Sequence, residues 1–217
     1  LGKYFDLYLL RDPYVKAVRN RKEKMKELLR DMTVRCSDSK TLRILNIASG
    51  GARDIRELFL ENSFDKKIEI VCVDQDPEAL DFSKREIDSI KSDVKFCYIK
   101  ENIAGFFINQ QRTMAILNNF DVIYSIGLID YVPDSLLKQL VGFCFDLLLP
   151  NGCFVLAVKN TKVFKPLASD WFCDWNFYLR DQAGLIELIK EALNREQFDI
   201  HSIAGKDEHI SFVSIIK

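Results

Sequence analysis

The run Asn46-Ile47-Ala48-Ser49-Gly50-Gly51-Ala52-Arg53-Asp54 sets small residues where an apolar β-type segment gives way to a helical pattern. With little or no side chain at Ala48, Gly50 and Ala52, a ligand approaches the backbone closely. Asp74 ends the next apolar run and is an acceptor suited to the two hydroxyls of a ribose. A glycine-bearing turn followed by an acid at the next strand end indicates an adenosine-type cofactor. The dinucleotide fingerprint G-x-G-x-x-G needs a third glycine for close helix–strand packing. The corresponding positions here are Ala48, Gly50 and Arg53, a departure that a cofactor without a pyrophosphate tolerates.

Asp74 could instead cap the following helix, but Asp76, directly before Pro77, is better placed for that and frees Asp74 for a ligand. Ser125-Ile126-Gly127 closes a further apolar run, and Gly127 lets the backbone pass close to a cofactor or substrate. Asp130 and Tyr131 follow in the same loop. Either could orient a nucleophile, or the acid could be solvated while the ring packs on the next helix. Trp171, Phe172, Trp175, Phe177 and Tyr178 form an aromatic cluster that reads as core or as a ligand wall. Arg180 could hold an acidic substrate in a bidentate contact, or only pair with Asp174 or Asp181. The six cysteines contain no C-x-x-C pair, and His201 and His209 lack neighbours at metal spacing. The expectation is buried reduced thiols and no metal site.

These residues need a scaffold, and the pattern around them supplies one. The first forty residues read as helix, with Pro13 in a first turn and Val18, Met25, Leu29 and Met32 at helical spacing. Arg19, Arg21, Lys22, Lys24 and Lys26 are expected on its solvated faces. We expect 1–40 to form a helical lid over a domain spanning 41–217, the whole making one compact unit. Strands are predicted at 42–47, 68–74, 94–99, 120–125 and 153–158, alternating with helices at 53–60, 77–90, 103–118, 133–149 and 182–194. Segments 198–204 and 210–216 read as a closing hairpin. This order predicts an α/β, Rossmann-like, mostly parallel seven-stranded sheet with a C-terminal antiparallel hairpin and helices on both faces.

At 217 residues, 48% hydrophobic and 29% charged, the chain suits a soluble globular domain. Its 31 basic and 32 acidic side chains give a formal charge of -1, so no global field favours nucleic acid. An Asn/Asp-Pro-Pro-Tyr/Phe motif is also missing after residue 125. No apolar stretch reaches membrane-spanning length, and the start lacks a signal-peptide pattern. A cytoplasmic location is expected, and the start at Leu1 suggests a trimmed or longer parent chain.

Taken together, the motifs resemble those of class I S-adenosylmethionine-dependent methyltransferases over nearly the whole length. Residues 44–53 look like the glycine-rich first motif, although that family usually has an acid at Asn46 and glycine at Ala48 and Ala52. Residues 71–77 (Val-Cys-Val-Asp-Gln-Asp-Pro) look like the second motif, whose acid holds the ribose. Asn102 stands where an Asp commonly contacts the adenine amine. The resemblance thus implies S-adenosyl-L-methionine as cofactor, with Asn46, Ala48, Ser49, Gly50, Asp74, Gln75, Asn102, Ile103, Ser125 and Gly127 as its binding residues. A narrower likeness rests on residues 48–54, 120–134 and Asp174-Trp175-Asn176-Phe177-Tyr178-Leu179-Arg180. It is to bacterial methyltransferases that make 3-hydroxy fatty-acid methyl esters used as cell-density signals.

That likeness implies a small-molecule acidic or lipid-like substrate, with Asp130, Tyr131 and Arg180 as the candidate catalytic residues. Methyl transfer from a sulfonium is an in-line displacement, so alignment and exclusion of water dominate. A carboxylate acceptor is already ionised near neutral pH and needs no base, consistent with a chain whose histidines both lie beyond residue 200. Two other readings stay open. One is an NAD(P)-dependent oxidoreductase, which Arg53 in place of the third glycine argues against. The other is a non-catalytic nucleotide-binding Rossmann-like protein, which the loop at 125–131 argues against.

Overall fold

The computed structural model describes residues 2–35, 41–88, 90, 94–108, 113–114, 116–164, 177–194 and 197–217. Two helices open the chain, α1 (Gly2–Arg11) and α2 (Pro13–Arg35), where the sequence suggested one. The break is Asp12, whose Oδ1 accepts from Tyr14 N–H at 2.7 Å and caps α2 ahead of Pro13. Then follow β1 (Thr41–Ile47), α3 (Arg53–Glu61), β2 (Lys67–Asp74), α4 (Pro77–Asp88), β3 (Val94–Lys100), α5 (Ile103–Ile108) and β4 (Phe120–Ser125). The chain continues through α6 (Asp134–Leu147), β5 (Leu148–Lys159), α7 (Gln182–Leu193), β6 (Asp199–Ile203) and β7 (Ile210–Ile216).

The seven strands form one sheet in the order β3-β2-β1-β4-β5-β7-β6. Neighbours from β3 through β5 pair in parallel, while β7 is antiparallel to both β5 and β6. This is the Rossmann-like architecture expected. Inner strands read as near-continuous apolar runs because helices cover both faces. On one face α2, α3 and α4 bury Met25, Leu29, Ile55, Leu58 and Leu80 against Ile44, Ile70 and Tyr124. On the other, α5, α6 and α7 bury Phe106, Leu140, Phe143 and Ile189 against Leu45, Val71 and Leu156. No helix among the described residues is long and apolar enough to cross a membrane.

Several boundaries differ from expectation for identifiable reasons. The strand predicted at 153–158 begins at Leu148, and the preceding helix stops at Leu147. Asn151-Gly152 is drawn into the sheet, because Asn151 N–H bonds to Lys217 O at 2.8 Å and Lys217 N–H to Gly152 O at 3.1 Å. Of the helix expected over 103–118, α5 covers Ile103–Ile108 and residues 113, 114 and 116 are also helical, while 109–112 and 115 lie outside the described residues. Cys72 and Cys144 are buried thiols, but Cys97 is exposed, because β3 is an edge strand whose alternate residues face water. Cys36 and Cys173 lie outside the described residues.

Candidate functional site

Strand order reverses between β1 and β4, so the chains leaving their carboxyl ends pass to opposite faces of the sheet and leave a crevice between them. Beyond β1, Ala48 (φ 54°), Gly50 (φ 51°) and Ala52 (φ 43°) all take the left-handed conformation. An L-residue there costs about 1–2 kcal/mol, so the turn must be held from outside. Ser49 N–H bonds to Val73 O at 3.1 Å, Ala52 N–H to Ser49 O at 2.9 Å, and Gly50 N–H to Asp74 Oδ2 at 2.7 Å. The other oxygen of Asp74, Oδ1, accepts from Asp76 N–H at 2.9 Å, and Asp76 Oδ1 accepts from Glu78 N–H at 2.9 Å. Asp76 therefore caps α4. Asp74 joins the first two strand ends while each of its oxygens keeps a second lone pair.

Beyond β3, Glu101 N–H bonds to Asp74 O at 3.0 Å, and Asn102 Oδ1 accepts from Gly105 N–H at 2.7 Å. The side-chain oxygen of Asn102, which the sequence reading aimed at an adenine amine, is thus engaged in capping α5. Its neighbour Glu101, which that reading passed over, brings a carboxylate to the same edge. A Cβ at Gly105 would lie 2.0 Å from Glu101 Oε1, so a side chain there would displace the Glu101 carboxylate.

The crevice is a cavity of about 490 Å³, within the range of small-molecule sites. Ile47, Ala48 and Val73 form its floor, Asp74, Gln75, Glu101 and Asn102 its polar side, and Ile103, Phe106, Val132 and Leu136 an apolar wall. Gly127, Leu128 and Tyr131 close the β4 side. Among these described lining residues the charged side chains are Asp74 and Glu101, both acidic, with no Lys, Arg or His. Two other hollows, of about 560 and 610 Å³, share none of these lining residues. The first holds two ion pairs in its lining, Lys138 with Glu191 and Arg180 with Asp134.

The structure brings Ala48, Asp74, Gln75, Asn102, Ile103, Gly127 and Tyr131 together in the lining, with Gly50 one hydrogen bond away. It places the remaining candidates elsewhere. Ser125 is fully buried and its hydroxyl donates to Ile47 O at 2.8 Å, tying β4 to the end of β1. Ser49 contributes its backbone N–H to the turn, and its Oγ is buried without a hydrogen-bond partner. Asn46 is buried on the opposite face of the sheet, beside the Tyr124 hydroxyl, because its neighbours Leu45 and Ile47 take the crevice side.

Arg180, expected to grip a substrate acid, is committed within the protein. Its Nε and Nη2 contact Asp134 at 2.7 and 2.6 Å, and its Nη1 and Nη2 donate to Ile129 O and Val132 O at 2.6 and 2.5 Å. It staples the 3-10 turn Ile129–Tyr131 that carries the crevice wall. Asp130 lies behind that wall, 8% exposed, 3.4 Å from Lys159 Nζ. Burial raises its carboxyl, opposed by Lys159 and then by Arg21 and Arg180. Of the aromatic cluster, Phe177 packs 5.4 Å from Tyr131, while Trp171, Phe172, Asp174, Trp175 and Asn176 lie outside the described residues.

A buried polar cluster that the sequence reading missed lies behind the glycine turn. The Tyr124 hydroxyl donates to Asp54 Oδ2 at 2.7 Å, and burial raises both the Asp54 carboxyl and the Tyr124 phenol. Arg21 reaches this cluster from α2 instead of facing solvent, and Lys26, also expected outside, is 6% exposed among Glu57, Glu61 and Glu23. The missed signal was spacing. Arg21 falls on the stripe Ala17–Arg21–Met25–Leu29, four residues apart, whose other members are fully buried.

No family model matches the sequence, and no curated protein matches it. Solved structures do. One described as a "possible exported protein" from Bordetella parapertussis has a TM-score of 0.71 at 19% identity, covering 97% of this chain and 71% of that one. Magnesium protoporphyrin IX methyltransferase from Synechocystis PCC 6803, with bound S-adenosylhomocysteine, has a TM-score of 0.67 at 8% identity over 95% of this chain and 87% of that one. The small RNA methyltransferase HEN1 has a TM-score of 0.66 at 11% identity over 90% of this chain and 25% of that one. The likeness is one of fold, shared with S-adenosylmethionine-dependent methyltransferases of diverse acceptors.

Proposed function

We propose that the protein is an S-adenosylmethionine-dependent methyltransferase acting on a small-molecule acid. The observation that carries the cofactor reading is the charge of the crevice. Its described lining holds two carboxylates and no cation, an environment that repels the pyrophosphate of NAD(P) and favours a sulfonium. The fold shared with methyltransferases of known structure supports the same reading. Asp74 offers its remaining lone pairs to the ribose diol, while Glu101 faces the adenine end. Ile103, Phe106 and Val132 provide the apolar wall for the base. Bound there, S-adenosylmethionine would supply an electrophilic methyl group.

The protein's own residues align and desolvate. Tyr131 and Leu128 cover the β4 side of the cavity and Gly127 leaves room for close approach. No histidine lines the cavity: His201 is on β6 and His209 precedes β7. Asp130 is paired with Lys159 and is not in the lining. A cavity with no histidine among its described lining residues suits an acceptor that is already an anion, and a carboxylic acid is one at neutral pH. Within that class a hydroxy fatty acid is the first acceptor to try, on the sequence resemblance at 120–134 and 174–180. The test is incubation with methyl-labelled S-adenosylmethionine and a panel of fatty acids, amines, phenols and RNA. Label in an organic-extractable ester is expected. Label confined to amines or RNA would overturn the acid reading, and failure of S-adenosylhomocysteine to bind would overturn the enzyme class.

A further inference from the structure

Arg21 is anomalous on physical grounds. Its Nε is buried without a hydrogen-bond partner, and no carboxylate among the described residues forms an ion pair with it. The nearby acids are otherwise engaged, Asp54 with Tyr124 and Asp130 with Lys159. A guanidinium cannot shed its proton to escape burial, so it remains a cation short of an anion. Burial alone pulls its pKa down, against weaker support from Tyr14, Asp130, Tyr131 and Asp54. Such a charge on the core-facing stripe of a helix costs stability, and residues that break a local rule without structural return tend to serve function.

Its position gives that function a direction. Arg21 Nη2 lies 3.7 Å from where a Cβ on Gly127 would stand, and Gly127 lines the cavity. The guanidinium therefore sits just behind the β4 wall, away from the polar side formed by Asp74 and Glu101. Beside it runs a chain of rings: Tyr131 to Phe177 at 5.4 Å, Phe177 to Phe164 at 6.2 Å, Phe164 to Tyr14 at 5.1 Å. Lys159 Nζ lies 3.2 Å from the Phe177 ring centroid, fixing these rings around a second cation.

We propose that Arg21 is the specificity-determining residue for the methyl acceptor, holding the ionised carboxylate of an organic acid whose apolar body lies along the Tyr131–Phe177–Phe164 rings. This rests on the methyltransferase reading. In the transfer, a lone pair of the carboxylate oxygen forms the O–CH3 bond as the C–S bond of the sulfonium breaks. The bonding pair passes to sulfur, giving a methyl ester and S-adenosylhomocysteine, and no proton is moved. Because the acceptor loses its charge along this path, Arg21 stabilises the bound acid more than the transition state. It selects the substrate and then releases the neutral product.

The test uses calorimetry on the full chain saturated with S-adenosylhomocysteine, with decanoate as probe and decan-1-ol as its uncharged counterpart. The parent protein is expected to bind decanoate at least about tenfold tighter than decan-1-ol, a difference of about 1.4 kcal/mol. Arg21→Met should abolish that preference with unchanged S-adenosylhomocysteine affinity, and should unfold at a higher temperature, since a half-buried charge without an ion pair is gone. Arg21→Lys should retain part of the preference. No preference in the parent protein would overturn the proposal. So would an Arg21→Met protein that loses S-adenosylhomocysteine affinity about tenfold but binds decanoate unchanged, which would assign the guanidinium to the cofactor's own carboxylate. Should S-adenosylhomocysteine fail to bind the parent protein at all, the methyltransferase reading itself falls, and this inference with it.

Discussion

Asp74 holds the left-handed turn and faces the cavity with the same carboxylate, so a change there acts on the site twice. Asp74→Ala removes one acceptor of charge-assisted hydrogen bonds, a loss of about 1.5–3 kcal/mol. Titration of S-adenosylhomocysteine should show that weakening, and an unchanged affinity would put the cofactor elsewhere. Asp54 offers a separate test through pH. Its carboxyl is raised by burial above the ordinary value of 3.8, despite the Tyr124 hydroxyl and the backbone N–H groups of α3 that favour its charged form. A carboxyl that titrates higher folded than unfolded makes the folded state bind more protons in that window. Its contribution to stability then falls as pH rises from about 4 through the folded value. Asp54→Asn removes this dependence, while Asp130, raised in the same direction, is common to both proteins and cancels. Denaturant midpoints should therefore shift in favour of the variant between about pH 4 and pH 7. A gap that stays constant over that range would count against a raised Asp54.

The 3-10 turn Ile129–Tyr131 is held at its ends by Arg180, and Tyr178 N–H adds a bond to Asp130 O at 2.8 Å. Arg180→Ala leaves two buried carbonyls without their donors and should cost about 2–3 kcal/mol of stability. Arg180→Lys should rescue little, because an ammonium cannot reproduce the planar fork. A thermal midpoint equal to the parent's in Arg180→Ala would leave Arg180 available for a ligand after all. Elements with strong periodicity were legible in the sequence: β1, β2 and β4 as apolar runs, α3 and α7 as helices, each within about two residues. What escaped were features set by tertiary pairing. Leu148 joins the sheet because Phe120 lies beside it, and Asn151-Gly152 because Lys217 does. At the site, small residues and strand-end acids revealed the turn and Asp74. The inward charge of Arg21 was hidden in a helix rich in basic residues, and the burial of Asp54 was hidden by its place in a first helical turn, where acids are ordinarily solvated.

At the scale of the molecule, the near-zero net charge conceals a local asymmetry. The crevice at the strand-order reversal is acidic, and the half-buried Arg21 and the buried Lys159 stand behind its β4 wall. The helices of the N-terminal segment also belong to the core. Ala17, Met25 and Leu29 have no exposed surface, so Met25→Ala should destabilise the whole protein. A loss of about 2–5 kcal/mol is expected in denaturant unfolding, and a loss under 1 kcal/mol would show that α2 is only loosely attached. Calorimetric titration of the purified protein with S-adenosylhomocysteine and, separately, with NADH tests most directly which cofactor the crevice takes. The acidic lining predicts saturable binding of S-adenosylhomocysteine, weakened in Asp74→Ala, and no binding of NADH; saturable NADH binding with none of S-adenosylhomocysteine would contradict it.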